Sequence, residues 1–333
     1  MQTRQLGNAG PRVAQLGLGL MGMSDLYGPA DRGESIATIH AALEAGVTLF
    51  DTADFYGMGH NELLLGQALA GRRRDDAVVS VKFGALRDPQ GKWNGVDCRP
   101  QAVKNFAAYS LHRLELDYID IYRPTRLDPD VPIEDTIGAI ADLVKSGHVR
   151  HIGLSEVSAE TLRRAHAVHP IADLQIEYSM ISRGIEADIL PTARALGIGI
   201  TAYGVLSRGL ISGHWSQARA GEADFRGGAS PRFQGDNLER NLALVERLRL
   251  IAAELGASVA QVAIAWVLAQ GADIVPLIGA RRRDRLQEAL GATGLHLSAA
   301  DLAALERAVP KDAASGARYN AHLMAHLDSE RTR

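Results

Sequence analysis

A chain of 333 residues has room for two average domains or for one large α/β barrel. With 46% hydrophobic and 23% charged residues it reads as an ordinary soluble globular protein, and a formal net charge of −3 without a long basic block argues against a nucleic-acid binder. A single cysteine, Cys98, excludes an internal disulfide and suits a reducing compartment, so the expectation is a cytoplasmic protein with one inert thiol. The N-terminal "MQTRQLGNAG" lacks the apolar core of a signal peptide. The longest apolar run, "IAAELGASVAQVAIAWVLAQ", is interrupted by Glu254, Ser258 and Gln261, and reads as a buried helix pair rather than a membrane span.

The first residues, "QTRQLGNAGPRVAQL", predict a β-hairpin about an Asn-Ala-Gly turn. The next stretch, "GLGLMG", has the G-x-G-x-x-G spacing that cradles a dinucleotide pyrophosphate when a helix opens through it. Here "MSDLYGPADRG" follows, a run of turn residues, so no helix N-terminus stands ready for a phosphate. Beyond it, strands alternate with helices. Helix "ESIATIHAALEAG" leads into strand "VTLFDT", "HNELLLGQALAG" into "AVVSVK", and "PQAVKNFAAYSLHRL" into "YIDIY". Then "IEDTIGAIADLVKSG" precedes "VRHIGLS", "SAETLRRAHAVH" precedes "ADLQIEY", and "IEADILPTARALG" precedes "IGITAYG". Helices near 238–270, strand "ADIVPLIG" and helix "RDRLQEALGA" complete the series. Eight apolar strands, each led in by a helix, predict one domain over 1–333: a (β/α)₈ TIM barrel with an N-terminal β-hairpin and extra C-terminal helices. A doubly wound open sheet is the alternative, and it lacks a nucleotide crevice.

In such a barrel the chemistry belongs at the C-terminal strand ends. Strand two ends in Asp51 with Tyr56 just beyond, and strand three ends in Lys82. Strand four ends "IYRPTRLDP", strand five ends Ser155-Glu156, strand six presents Gln175 and Glu177, and strand seven presents Tyr203. A phenol titrates near pH 10; a neighbouring ammonium lowers that value, and a carboxylate keeps the ammonium charged and in place. Asp51, Tyr56 and Lys82 together would make a phenol able to give a proton to a carbonyl oxygen. Separately, Asp51 is also a fair helix cap, Lys82 a fair surface lysine, and Tyr56 a fair aromatic with its hydroxyl in water.

At these residues the sequence resembles the aldo-keto reductase superfamily. "LFDTADFYGMGHNELLLGQAL" resembles the segment with the family's catalytic Asp and Tyr, and "VVSVKFG" the segment with its Lys. "GHVRHIGLSEVS", "LQIEYSMISR", "ITAYGVLSRGLISG" and "GARRRDRLQEAL" match further motifs in order. The resemblance implies reversible NAD(P)H-dependent reduction of a small-molecule aldehyde or ketone, with the cofactor extended across the barrel mouth. It implies Met21 near the nicotinamide, Ser155 and Gln175 on the carboxamide, Tyr203 stacked on the ring, and Leu206, Arg208 and Gly209 along the pyrophosphate. Gly279 opens the last motif, where Arg281, Arg282 and Arg285 flank a helix start and suit a 2′-phosphate, hence NADP(H). Glu288 would contact the adenine, while Ala289 replaces the Asn the family often carries next.

One departure matters more. The family usually places a His after strand four, in a segment like "LYYQHRVDP". Here Thr125 occupies that position within "IYRPTRLDP", while Arg126, Asp128 and Pro129 keep the register. A hydroxyl is a shorter donor than an imidazole. Thr125 serves as donor in its place, or a substrate carboxylate docks on Arg123, or His60 compensates, or the chain is a weakly catalytic NADP(H)-binding redox sensor. A hydrolase using Asp51 or Glu177 is a more distant alternative. No His falls in a metal-ligand spacing, so no metal is expected. The loops "DLYGPAD", "RDPQGKWNGVD" and "HWSQARAGEADFRGGASPRF" are expected to wall the pocket, the last as a cover with Arg232 as a cofactor contact. Oligomeric state is not encoded in any motif.

Overall fold

A computed structural model describes residues 1–24, 26–216 and 225–331; part of the expected cover loop, 217–224, and Asp25 lie outside them. β1 (Thr3–Gln5) and β2 (Arg12–Ala14) form the antiparallel hairpin. Eight parallel strands close into a barrel: β3 (Gly17–Gly19), β4 (Leu49–Ala53), β5 (Val78–Phe83), β8 (Ile119–Pro124), β9 (Val149–Ser155), β10 (Ile171–Glu177), β11 (Gly199–Tyr203) and β12 (Ile274–Gly279). β3 closes the ring, with Leu18 beside Phe50 on one side and Gly17 beside Leu277 on the other. Gly17 leaves room for its neighbours there: a Cβ would stand 2.9 Å from Leu49 Cδ2, and the Leu49 side chain would have to shift. "GLGLMG" is therefore a barrel strand followed by a short turn, not a nucleotide loop. The predicted first strand is split, with Val13 and Ala14 in the hairpin and Gly17 to Gly19 in the barrel.

Alternate residues along each strand face opposite ways. One set, including Phe50, Val79, Val81, Ile152, Leu174, Ile200 and Ile278, joins the main apolar core with the helices. The other set points inward. At the bottom it is apolar: Leu49, Ile121 and Val275 meet Leu6 and Val13 of the hairpin, which plugs that end. Arg4 fastens the plug by donating to the carbonyls of Leu268 and Gly271 at 2.9 and 2.7 Å. Higher up, the inward residues turn polar, and they form the floor of the site.

The helices α1 (Arg32–Glu44), α2 (His60–Leu69), α3 (Pro100–Leu114), α4 (Ile133–Lys145), α5 (Ala159–Val168) and α6 (Ile189–Leu196) surround the strands. After a short α7 (Phe225–Ala229) come α8 (Gly235–Glu254) and α9 (Val259–Ala269). α9 starts on a capping box in which Ser258 and Gln261 satisfy each other's amides. Among the described residues no single helix is long and apolar enough to cross a membrane; α8 and α9 pass together only as a pair bent by 86°. α10 (Arg283–Gly291) and α11 (Ala299–Ala308) follow, and the chain then returns over the barrel mouth with α12 (Ala321–Ala325). The segment "RDPQGKWNGVD" is not a plain loop. β6 (Ala85–Arg87) and β7 (Trp93–Val96) pair as a ribbon, and the Asp88 carboxylate accepts from the Gln90 and Lys92 amides at 2.9 and 2.8 Å to shape its turn.

Candidate active site

β4 and β5 run side by side with Ala53 opposite Lys82, which brings Asp51 and Lys82 together at the barrel mouth. The Lys82 ammonium ion-pairs with Asp51 and donates to the Thr52 carbonyl at 3.2 Å, both side chains being almost fully buried. Asp51 Oδ2 also accepts from Ser80 Oγ at 2.8 Å and from Gln175 Nε2 at 2.7 Å. A second ion pair lies deeper: Arg123 meets Asp173 at 3.1 Å and donates to Ser80 Oγ at 2.9 Å, while Thr201 donates to Asp173. Ser80 thus ties the lower pair to the upper one. Gly153 makes room for this layer, since a Cβ would stand 2.6 Å from Asp173 Oδ1. Arg123 is fully enclosed, so no substrate carboxylate reaches it. Sequence reading missed this ladder because the strands look uniformly apolar until alternate positions are separated.

Tyr56 lies on the short helical turn after β4. Phe55 packs edge-on against it at 4.8 Å between centroids, and Met21, Ala85 and Trp93 complete its wall. Lys82 Nζ is 5.0 Å from the centre of the Tyr56 ring. The phenol nevertheless departs from the expected direction. Burial, and then the Asp51 charge, push its pKa well above the ordinary 10, while Arg126 opposes them. Burial lowers the Lys82 pKa, with Asp51 opposing. The phenol is therefore protonated at neutral pH and stands ready as an acid.

The residues near the missing imidazole sort clearly. Thr125 continues past β8, its amide donating to the Phe83 carbonyl at 2.9 Å, and among the described residues its buried hydroxyl has no hydrogen-bond partner. His60 is engaged elsewhere, with Ser24 Oγ at 2.8 Å and Arg32 at 3.3 Å. Asp54, which no motif singled out, lies under the same rim. Burial, followed by the nearby Glu62, raises its carboxyl to about 8.

A second cluster occupies the opposite rim. Glu156, in the left-handed conformation at φ 54, accepts from Tyr203 at 2.7 Å, from Arg318 at 2.6 and 2.9 Å, and from Ser329 at 2.6 Å. Burial opposes its ionisation, but Arg318 overrides burial and holds its pKa below the carboxylate range. Glu177 pairs with Arg208 at 3.0 Å, Arg318 at 3.3 Å and Arg232 at 3.7 Å. Tyr319 places its hydroxyl 3.3 Å from that of Tyr203 and lies under the Arg208 guanidinium at 4.2 Å. The C-terminal return is thus clasped onto the strand ends, a feature that "SGARYN" gives no local signal for.

Two observations test whether a nicotinamide nucleotide fits. The loop after β11 holds Gly204, Ser207, Arg208, Gly209 and Gly213 at positive φ, and the buried Ser207 hydroxyl lacks a partner. Such a loop with an orphaned donor is suited to an anion. At Gly279 a Cβ would meet nothing within 4 Å, so the protein itself has no need of glycine there and the space is open. The residues fit the group. Of the expected contacts, Ser155, Gln175 and Tyr203 end adjacent strands β9, β10 and β11, and Leu206, Arg208 and Gly209 share the strained loop. Gln175 and Arg208 are already bonded, to Asp51 and Glu177. Around α10, Arg281 holds the carbonyls of Tyr27 and Pro29 at 2.8 and 3.2 Å, Arg282 pairs with Asp284 at 2.5 Å, and Arg285 and His214 meet Glu288 at 3.1 and 2.9 Å. The first amide of α10 is taken: Glu34 accepts from Arg283 N at 2.9 Å and from its guanidinium at 2.9 Å. Among the described residues no cluster of His, Cys, Asp and Glu could hold a metal ion.

Comparison with known proteins agrees with this geometry. The family model described as "Aldo/keto reductase family" matches residues 15–310. A probable aldo-keto reductase 1 of Glycine max is 42% identical over 322 residues, covering 96% of this chain and 92% of its own. The structure is similar to the glycerol dehydrogenase AKR11B4 of Gluconobacter oxydans, with TM-score 0.84 and 28% identity over 98% of this chain and 96% of that one. It is also similar to the thermostable aldo-keto reductase Tm1743, with TM-score 0.74 and 27% identity over 92% of this chain and 100% of that one. Family members are oxidoreductases that use nicotinamide cofactors on small carbonyl compounds. A closed barrel whose mouth carries a buried Asp–Lys pair beside a tyrosine, matched by that model over nearly its whole length, makes this chain a member of the aldo/keto reductase family.

Proposed function

We propose that the chain reduces an aldehyde or ketone to the alcohol, reversibly, with NADPH as reductant. The observation that carries this reading is the Lys82–Asp51 pair enclosed beneath the Tyr56 ring. The bound nicotinamide supplies the hydride. Tyr56 supplies the proton: its phenol is neutral, and the developing charge on the substrate oxygen draws the proton across. Lys82, held by Asp51, stabilises the phenolate left behind. Asp51 is in turn fixed by Ser80 and Gln175, so the ammonium has one position. Thr125 offers its orphaned hydroxyl where the family usually offers an imidazole. Met21, Ser155, Gln175 and Tyr203 are the residues for the nicotinamide end. Leu206, Arg208 and Gly209 serve the pyrophosphate, and Gly279, Arg281, Arg282, Arg285 and Glu288 the adenosine end. The concentration of guanidinium groups around α10 favours NADPH over NADH.

The clasped C-terminal return supports a second reading, a slow NADP(H)-retaining redox sensor. The test of the first is direct. Protein, NADPH and 4-nitrobenzaldehyde should yield 4-nitrobenzyl alcohol in equal amount to the cofactor oxidised, over many turnovers. Tight NADPH binding without accumulating alcohol would favour the sensor.

A further inference from the structure

We propose that Arg126 anchors a carboxylate carried by the substrate, so that the preferred substrates are aldehydes or ketones bearing an acid group. This rests on the carbonyl-reductase reading above and names its substrate class. Lys82 is neutralised by Asp51, Arg123 by Asp173, and Arg208, Arg232 and Arg318 by Glu156 and Glu177. Arg126 differs. Among the described residues its one side-chain hydrogen bond runs from Nη1 to the carbonyl of Thr125 at 2.6 Å, and it makes no ion pair.

Its position follows from the strand. Thr125 is bonded to Phe83, one residue past Lys82, so Arg126 follows the end of β8 beside the end of β5 that carries Lys82. It acts electrostatically on Tyr56 and Lys82 from one side, and on Tyr203, Tyr319 and Glu156 from the other. Glu156 does not satisfy it, because both Glu156 oxygens are held by Arg318, Tyr203 and Ser329. Burial opposes the charge on Arg126, but Tyr203, Tyr319 and Glu156 outweigh burial and raise its pKa, so the guanidinium is held charged while its fork meets no carboxylate among the described residues. Beside it the Thr125 hydroxyl is also without a partner and almost fully buried. A planar guanidinium fork matches a carboxylate, which takes two parallel N–H bonds, and the Thr125 hydroxyl is left for the carbonyl oxygen. A phosphate dianion would leave charge uncompensated here, since Lys82, Arg208, Arg232 and Arg318 are already paired with carboxylates.

The test compares 4-carboxybenzaldehyde with methyl 4-formylbenzoate. The ester activates the carbonyl more, so a preference for the acid reports binding rather than reactivity. Wild type should show a KM about 10- to 100-fold lower for the acid, the size of one charge-assisted bidentate contact. Arg126→Gln should erase the acid-to-ester difference, a ratio in which any common effect on Tyr56 cancels, and Arg126→Lys should keep part of it. Benzoate binding by calorimetry, in the presence of NADP⁺, gives a readout independent of turnover: wild type should bind it and Arg126→Gln should not. An acid-to-ester ratio or a benzoate affinity unchanged in Arg126→Gln overturns the inference. If neither aldehyde is reduced yet benzoate binding still depends on Arg126, the anion site stands and the reductase reading falls.

Discussion

Replacing Lys82 with Met keeps most of the length of the side chain and removes its charge. Asp51 would then be a carboxylate almost fully buried without its cation, though it would keep the bonds from Ser80 and Gln175 at 2.8 and 2.7 Å. Breaking a buried pair on one side costs about 3–5 kcal/mol, and the two surviving donors place this case at the lower end. An entropy of unfolding of about 2.1 cal/mol/K per residue gives about 0.7 kcal/mol per kelvin for 333 residues. The melting temperature of Lys82→Met should therefore fall by about 4 °C. Asp51→Asn strands the ammonium instead, and the double variant should cost less than the sum of the two by about 1.5 kcal/mol or more. Scanning calorimetry with urea titrations of the four proteins measures this. Additive effects within about 0.5 kcal/mol would refute the coupling that the enclosed pair requires.

Three further outcomes follow from single contacts. Glu34→Gln removes the carboxylate seated on Arg283 at the start of α10 and should tighten NADPH about two- to fivefold in a fluorescence titration, with NADH unchanged; weaker NADPH binding would mean that Glu34 positions the site rather than competing with the phosphate. Asp54 holds its proton up to about pH 8 in the folded chain against 3.8 for a free side chain. Folding thus binds a proton in that window, and stability should fall as pH rises from about 4 to 8. Asp54→Asn should flatten that slope in denaturant midpoints, and an unchanged slope would show that Asp54 is not its source. Gly153→Ala would drive a methyl to within 2.6 Å of Asp173 Oδ1 and should lose about 1–3 kcal/mol, which a urea titration reads; a neutral substitution would mean that the lower ion pair yields without cost.

Much of this was legible because the barrel announces itself in rhythm. The alternation of helices with short β-branched runs marks all eight strands, and the strand ends carry Asp51, Lys82, Gln175 and Tyr203 in plain view. The G-x-G-x-x-G string misleads only until its surroundings are read, and Leu49 against Gly17 supplies the steric reason for its first glycine. Other features depend on contacts distant in sequence. Arg123 and Arg126 look equivalent as letters, yet strand alternation sends the first into the barrel, while the second lies past the end of β8. Arg318 meets Glu156 across 162 residues, and nothing local to either one reports it. The direction of the Tyr56 shift was likewise hidden, since it is set by burial more than by any neighbouring charge.

The central claim is that Tyr56 is the proton donor of a turning-over reductase. It is tested most directly by mixing NADPH-loaded protein with excess 4-nitrobenzaldehyde and additional NADPH, and following the reduced-cofactor absorbance for wild type and Tyr56→Phe. Continuous decay in wild type, slowed about 10²- to 10⁴-fold in Tyr56→Phe with NADPH affinity intact, is the expected result. Decay that stops after one equivalent in wild type, or a Tyr56→Phe rate within threefold of it, would contradict the account.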